Sequence, residues 1–170
     1  MSIGRICSRA THLADLEESA QAAADRMQDQ NVGTLVVVDP DRKPIGILTD
    51  RDLAVRVVAP ALDARTTTVG QVMTSHPQWV REETPIEDAV ATMRSLGIRR
   101  LPVVDGRERL VGIVSADDVL ELLAQELENL GRIAGSSRPG SAMPATGPRP
   151  PKRPAASAEG LQRSAADLEC

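Results

Sequence analysis

The chain has 170 residues, 41% of them hydrophobic and 26% charged, enough to bury the core of one domain or of two small ones. One Trp with no Phe or Tyr leaves an aliphatic core and excludes base stacking on single-stranded nucleic acid. The formal net charge of −4 argues against DNA binding through the whole surface, and it is uneven: residues 1–130 carry 14 basic and 21 acidic side chains, residues 131–170 six and three.

An internal repeat organises the chain. Laid on itself with Ser2 against Thr68, the stretch 2–58 falls on 68–124 without a gap, and 11 of the 57 pairs are identical, among them Gly4/Gly70, Met27/Met93, Leu35/Leu101, Gly46/Gly112 and Asp52/Asp118. Repeat 1 is therefore read as 2–58, a linker as 59–67 and repeat 2 as 68–130. Ser2 and Thr68 suit N-caps of a short helical turn. Extended stretches are expected near 12–14 and 78–80, each followed by a helix. In repeat 2, Thr84, Pro85 and Glu87 supply an N-cap, a proline at the first helical position and a capping-box acid. Ile86, Ala89, Val90, Met93 and Leu96 then keep one face apolar; repeat 1 has the thinner face of Ala20, Ala23, Ala24 and Met27. Strands are expected at 35–38 and 45–48, and again at 101–104 and 110–114, with second helices from about Asp50 and Ala116. The unit is β-α-β-β-α, twice. Two short sheets with helices on one side bury their faces only by packing on each other. From 131 to 170 the pattern stops; Pro139, Pro144, Pro148, Pro150, Pro151 and Pro154 lie among Gly, Ser and Ala, the composition of a disordered tail, with 158–169 able to form a transient helix.

The strand-to-helix junctions carry the chemistry. One reads Gly46-Ile47-Leu48-Thr49-Asp50-Arg51-Asp52 and the other Gly112-Ile113-Val114-Ser115-Ala116-Asp117-Asp118. A hydroxyl residue three positions before an acid at a helix start is a capping box with Asp in place of Glu, and capping needs no ligand.

The repeated glycine and spacing resemble a known family. The element order, the strand Leu101-Pro102-Val103-Val104-Asp105 and the two Gly-h-h-Thr/Ser-x-x-Asp junctions are similar to a tandem pair of cystathionine-β-synthase (CBS) domains, a Bateman module, over about residues 2–126. Residues 49–58 and the linker with Leu62 and Asp63 are most similar to stand-alone bacterial CBS-pair proteins, among them stress- and hypoxia-response proteins. The resemblance implies an α/β (α+β) fold in which the two repeats pack as a pseudo-two-fold module. It also implies a cleft that binds AMP, ADP, ATP or S-adenosylmethionine. In that cleft Asp52 and Asp118 would accept hydrogen bonds from ribose hydroxyls. Thr49 and Ser115 would contact ribose or phosphate at helix N-termini, and Gly46 and Gly112 would leave room for the ligand. The adenine wall would come from 8–13 and 32–34, with Val32 and Gly33, or from 74–79 and 98–100, with Ile98. The partner repeat supplies the wall, so each site is composite. Arg99 and Arg100 either neutralise phosphates or stand solvated. Because the aligned Gly33 and Thr34 carry no charge, the Asp52 site, walled by repeat 2, is expected to take the more highly phosphorylated ligand.

No nucleophile, P-loop or acid/base pair stands out, so the expected function is a regulatory sensor with no catalytic residue, no metal and no required cofactor. His12 and His76 read as surface imidazoles, Cys7 as a small packing residue, Cys170 as a free terminal thiol and Trp79 as cleft or core packing. The stripe Val119, Leu120, Leu123, Leu127 and Leu130 is either buried within the chain or, as the resemblance implies, packed between subunits of a homodimer. An alternative is a regulatory subunit acting in trans on an enzyme or transporter. A third reading is weak, salt-sensitive nucleic-acid association through 131–153, which holds five basic residues and no acid. Two cysteines without a framework, no long apolar run, and a repeat that begins at Ser2 with no signal peptide before it point to the cytoplasm, with no membrane partner.

Overall fold

In the computed structural model, which describes residues 1–136, a 3-10 turn at Ile3–Arg5 leads into β1 (Leu13–Ala14), α1 (Ala20–Asp29), β2 (Thr34–Val38), β3 (Pro44–Thr49) and α2 (Asp50–Leu53). After a wider π-helical turn at Ala54–Val58 come α3 (Val69–Val72), β4 (Thr74–Ser75), β5 (Val80–Arg81), α4 (Ile86–Leu96), β6 (Arg100–Val104), β7 (Leu110–Ser115) and α5 (Ala116–Ser136). No described helix is long and apolar enough to cross a membrane.

The strands form two sheets, in the orders β1-β2-β3-β4 and β5-β6-β7. Their hairpins repeat in register. Leu35 faces Leu48 and Val37 faces Gly46; at the matching positions of repeat 2, Leu101 faces Val114 and Val103 faces Gly112, each pair of strands with a bulge at the same place. In β3 and β7 burial alternates along the strand, the period-two pattern of a sheet with one covered face. Asp39 and Asp105 close the two turns by accepting from the backbone N–H of Lys43 (2.8 Å) and Arg109 (2.9 Å). Leu35, Leu48, Leu101 and Val114 are wholly buried; each contributes about 1.5–3 kcal/mol by leaving water.

The repeats exchange their first segments. Residues 3–8 do not pack on the sheet of β2 and β3, which follows them in the chain. The backbone N–H groups of Ile3 and Gly4 donate to the carbonyls of Thr84 (2.9 Å) and Glu82 (2.8 Å), and Ser8 pairs with Ile113 of β7. Reciprocally, Val69 and Gly70 donate to Glu18 and Leu16, both at 2.9 Å, and β4 pairs with β3. Ile3 and Cys7 thus belong to the core of Val80, Ala89, Met93, Leu101, Val103 and Val114, while Val69 and Val72 belong to that of Ala14, Ala20, Ala23, Leu35 and Leu48.

This exchange explains the paired glycines. A Cβ on Gly112 would stand 2.8 Å from the Ser8 carbonyl oxygen and 3.0 Å from Cys7 Sγ, and one on Gly46 would collide with the Met73 thioether. The glycines at the junctions therefore admit the other repeat's first segment, and the room they leave is filled by protein.

Three local expectations change. α4 begins one residue later than the capping pattern predicts: Pro85 is its N-cap, and the Thr84 hydroxyl instead accepts from the Arg81 N–H at 3.1 Å. On that helix Ala89 and Met93 are buried, but Val90 and Leu96 are 40% and 49% exposed. The helix α5 continues through Gly131 to Ser136, so residues 131–136 are helical where a disordered tail is predicted. A glycine inside a helix costs only about 1 kcal/mol, which neighbouring turns with good helix formers tolerate. The rest of the tail reading, with Cys170, falls on 137–170, outside the described residues.

Candidate functional site

Each junction sets its acid through the same local hydrogen bonds. At the end of β3 the Thr49 hydroxyl accepts from the Asp52 N–H (3.1 Å), and Asp52 Oδ2 accepts from the Thr49 N–H (2.9 Å) and hydroxyl (2.7 Å). At the end of β7 the Ser115 hydroxyl accepts from the Asp118 N–H (3.1 Å), and Asp118 Oδ2 accepts from the Ser115 N–H (2.6 Å) and hydroxyl (2.7 Å). Both are capping boxes, so one carboxylate oxygen of each aspartate is committed to its own helix.

The second oxygens differ. Asp52 Oδ1 is paired with Arg56 at 3.1 Å. Asp118 Oδ1 has no hydrogen-bond or ion-pair partner among the described residues.

Asp118 lies on the wall of a cavity of about 400 Å³ built from both repeats. Ser115 and Ile113 join it from β7, Val32, Gly33 and Thr34 come from the approach to and start of β2, Ser8 comes from the exchanged segment, and Ala10, Thr11 and His12 come from the stretch that follows it. Arg100 lines the same cavity and forms no ion pair among the described residues. Its guanidinium lies near Gly33, where a Cβ would meet Arg100 Nη2 at 3.8 Å and Asp50 Oδ2 at 3.0 Å. Thr34 is 8% exposed, and its hydroxyl oxygen is buried without a partner. Such a group costs about 1–3 kcal/mol until something bonds it. The cavity thus offers a carboxylate oxygen and a guanidinium that are unpaired among the described residues, and an aliphatic wall of Val32, Val36 and Ile113.

Of the residues singled out in the sequence, Val32, Gly33, Arg100, Ser115 and Asp118 come together here. Thr49 and Asp52 sit at the equivalent junction. Arg99 is turned away, its guanidinium 3.0 Å from Asp117 in an exposed pair, and Ile98 is 36% exposed and not on this cavity. Arg100, expected at the Asp52 site, lines the Asp118 cavity instead. His12, read as a surface imidazole, is half-buried on the same wall. Cys7 is packed in the core, and burial pushes its thiol above the ordinary range, which keeps it protonated and unreactive. Sequence reasoning passes over Arg56, whose signal is its position four residues after Asp52 on one helical face.

The family model described as CBS domain matches residues 3–59 and 69–125. The chain is 33% identical over 122 residues to the uncharacterized protein MK0525 of Methanopyrus kandleri, covering 72% of this chain and 62% of that one. It is 32% identical over 108 residues to Hypoxic response protein 1 of Mycobacterium tuberculosis, covering 64% of this chain and 75% of the relative. Among solved structures it is similar to the CBS domain pair of protein MJ0100 in complex with 5′-methylthioadenosine and S-adenosyl-L-methionine. That match has 28% identity and a TM-score of 0.67, over 74% of this chain and 98% of the other.

Proposed function

The chain belongs to the CBS domain family, and from that premise we propose that it is a regulatory sensor of an adenosine-containing ligand: AMP, ADP, ATP or S-adenosylmethionine. The ligand occupies the cavity at Asp118. It changes the protein's shape or its affinity for a partner, and no bond is made or broken.

The observation that carries this reading is the juxtaposition of an unshared carboxylate oxygen with an unpaired guanidinium in one cavity. Asp118 Oδ1 keeps its lone pairs for ribose hydroxyls, a charge-assisted interaction. Arg100 offers a fork of donors to phosphate or carboxylate, and the positive end of α5 begins at the same wall. The aliphatic side chains of Val32, Val36 and Ile113 give a flat base an apolar surface. A volume of about 400 Å³ lies within the usual range for small-molecule sites.

Thermal-shift screening of AMP, ADP, ATP and S-adenosylmethionine tests the reading. A compound that binds only the folded state, at 100 times its Kd, adds about 2.7 kcal/mol of stability. No rise in Tm with any of the four at millimolar concentration would rule the reading out.

The sensor is a homodimer in this reading. Leu120, Leu123, Leu127 and Leu130 lie along one side of α5, each 52–70% exposed. A second copy of the same helix would cover that stripe. Its compartment in this reading is the cytoplasm.

A further inference from the structure

We propose that Arg56 is a built-in strap across the Asp52 site, so that each chain binds a single ligand, at Asp118. The inference rests on the adenosine-sensor reading and deepens it by assigning the ligand to one of two sites that the sequence repeat makes look alike.

The argument begins with the three bonds of one guanidinium. Arg56 Nη2 is 3.1 Å from Asp52 Oδ1 and donates to the Thr74 hydroxyl at 3.0 Å, while Nη1 donates to the Val72 carbonyl at 2.8 Å. Asp52 belongs to the junction of repeat 1. Val72 and Thr74 belong to the exchanged first segment of repeat 2. In the alignment of the two repeats, Asp52 and Thr74 correspond to Asp118 and Ser8, and both of these line the cavity. Arg56 therefore ties together two segments whose counterparts in the other half, Ser8 and Asp118, both line a cavity of about 400 Å³.

The residue corresponding to Arg56 in repeat 2 is Leu122. It has no charge to offer Asp118, and Asp118 Oδ1 is left without a partner among the described residues. The two junctions share their caps and strand registers, but Arg56 stands in the π-helical turn after α2, whereas Leu122 stands in the continuous helix α5. A ribose hydroxyl approaching Asp52 must first displace a cation that already holds the free oxygen. Removing that cation also breaks its bonds to Val72 and Thr74. At Asp118 no described residue has to be displaced.

Isothermal titration calorimetry on the full chain, with AMP, ATP and S-adenosylmethionine titrated separately, tests the strap. For a compound that binds, the expected stoichiometry is one per chain in the wild type. Asp118→Ala should abolish that binding or weaken it at least about tenfold, and Asp52→Ala should leave it in place. Arg56→Leu, which copies the repeat 2 residue, should raise the stoichiometry to two, and the added site should vanish in Arg56→Leu/Asp52→Ala. Melting curves confirm that each variant is folded; if Arg56→Leu is not, the wild-type stoichiometry and the two aspartate variants still decide. Two ligands per wild-type chain would overturn the strap, as would one ligand lost on Asp52→Ala or a folded Arg56→Leu chain that still binds one. Two wild-type sites, one of them weakened by Arg56→Leu, would make Arg56 a ligand contact instead. No heat with any of the three compounds, in wild type and Arg56→Leu alike, would overturn the sensor reading itself.

Discussion

Asp52 and Asp118, at equivalent positions of matched junctions, engage one carboxylate oxygen identically and the other differently: Asp52 Oδ1 is held by Arg56, and Asp118 Oδ1 is held by nothing among the described residues. In the proposed sensor, helix capping and ligand binding are two uses of one carboxylate, and they separate by oxygen atom. Asp52→Ala and Asp118→Ala should each lower stability by about 0.5–1.5 kcal/mol, because each removes the carboxylate that accepts from the N-cap residue while the N-cap hydroxyl keeps its own bond. Asp118→Ala alone should also lower nucleotide affinity, by about 1.5–3 kcal/mol, the contribution of a hydrogen bond to a charged group. Urea denaturation and calorimetry with ATP measure the two quantities. Equal affinity losses in both variants would contradict the asymmetry.

The glycines at the junctions give a second contrast. Gly112→Ala puts a methyl group 2.8 Å from a backbone carbonyl oxygen of Ser8, held by its pairing with Ile113. Gly46→Ala meets the end of the flexible Met73 side chain, which can change rotamer. Overpacking costs about 1–3 kcal/mol, and Gly112→Ala should fall nearer the upper end than Gly46→Ala. Denaturant midpoints of the two variants should differ in that order, and the reverse order would show that Met73 is the more rigid neighbour.

Local patterns make much of this fold readable. The offset hairpins, Asp39 and Asp105 in their turns, and both junction caps come from spacing along one segment. The exchange of first segments does not. The offset between Ile3 and Val69 is the same whether each turn packs on its own repeat or on the other. For the same reason Gly112 reads as room for a ligand, when the space is taken by Ser8 and Cys7. Arg100 lies at the start of β6, close to both halves, and only the course of its side chain past Gly33 sets it on the Asp118 cavity.

Thr34 carries a prediction about stability. Its hydroxyl oxygen is buried without a partner, so Thr34→Val, nearly the same in shape, removes a desolvated polar group and adds a methyl. Tm without ligand should rise or stay unchanged. A clear drop in Tm would mean that the hydroxyl already has a partner in solution.

Asp105 makes the β6–β7 turn sensitive to acid. Its carboxylate accepts the backbone N–H of Arg109 and pairs with the Arg109 guanidinium at 2.9 and 2.7 Å, while the Arg107 N–H adds a further bond. Backbone and side-chain bonds from Arg109, in that order, hold its pKa at about 2, down from the usual 3.8. The charged form is favoured in the folded state. The contribution is therefore complete above the unfolded value of 3.8 and lost as pH falls through about 2. The Tm difference between wild type and Asp105→Asn should be constant above about pH 5 and shrink between about pH 4 and 2. A difference independent of pH over that window would show that the charge of Asp105 contributes nothing.

The leucine stripe of α5 is the seam of the proposed homodimer. Leu120, Leu123, Leu127 and Leu130 recur at spacings of three and four and are mostly exposed, whereas Val119 on the same helix is buried at 8% exposure. Those four leucines therefore lie outside the core of the described residues, while Val119, read as part of the same stripe, lies inside it. A coiled-coil-like pairing with a second α5 would place these side chains in a shared seam. The double variant Leu123→Glu/Leu127→Glu should leave the stability of the single chain within about 0.5 kcal/mol, the usual range for exposed positions away from special features. It should also convert a dimer into a single chain, because two copies would bring four buried carboxylates together. Light scattering measured against protein concentration reads the outcome. A wild-type mass of one chain at all concentrations would refute the dimer, and so would a variant that keeps the wild-type dimer mass.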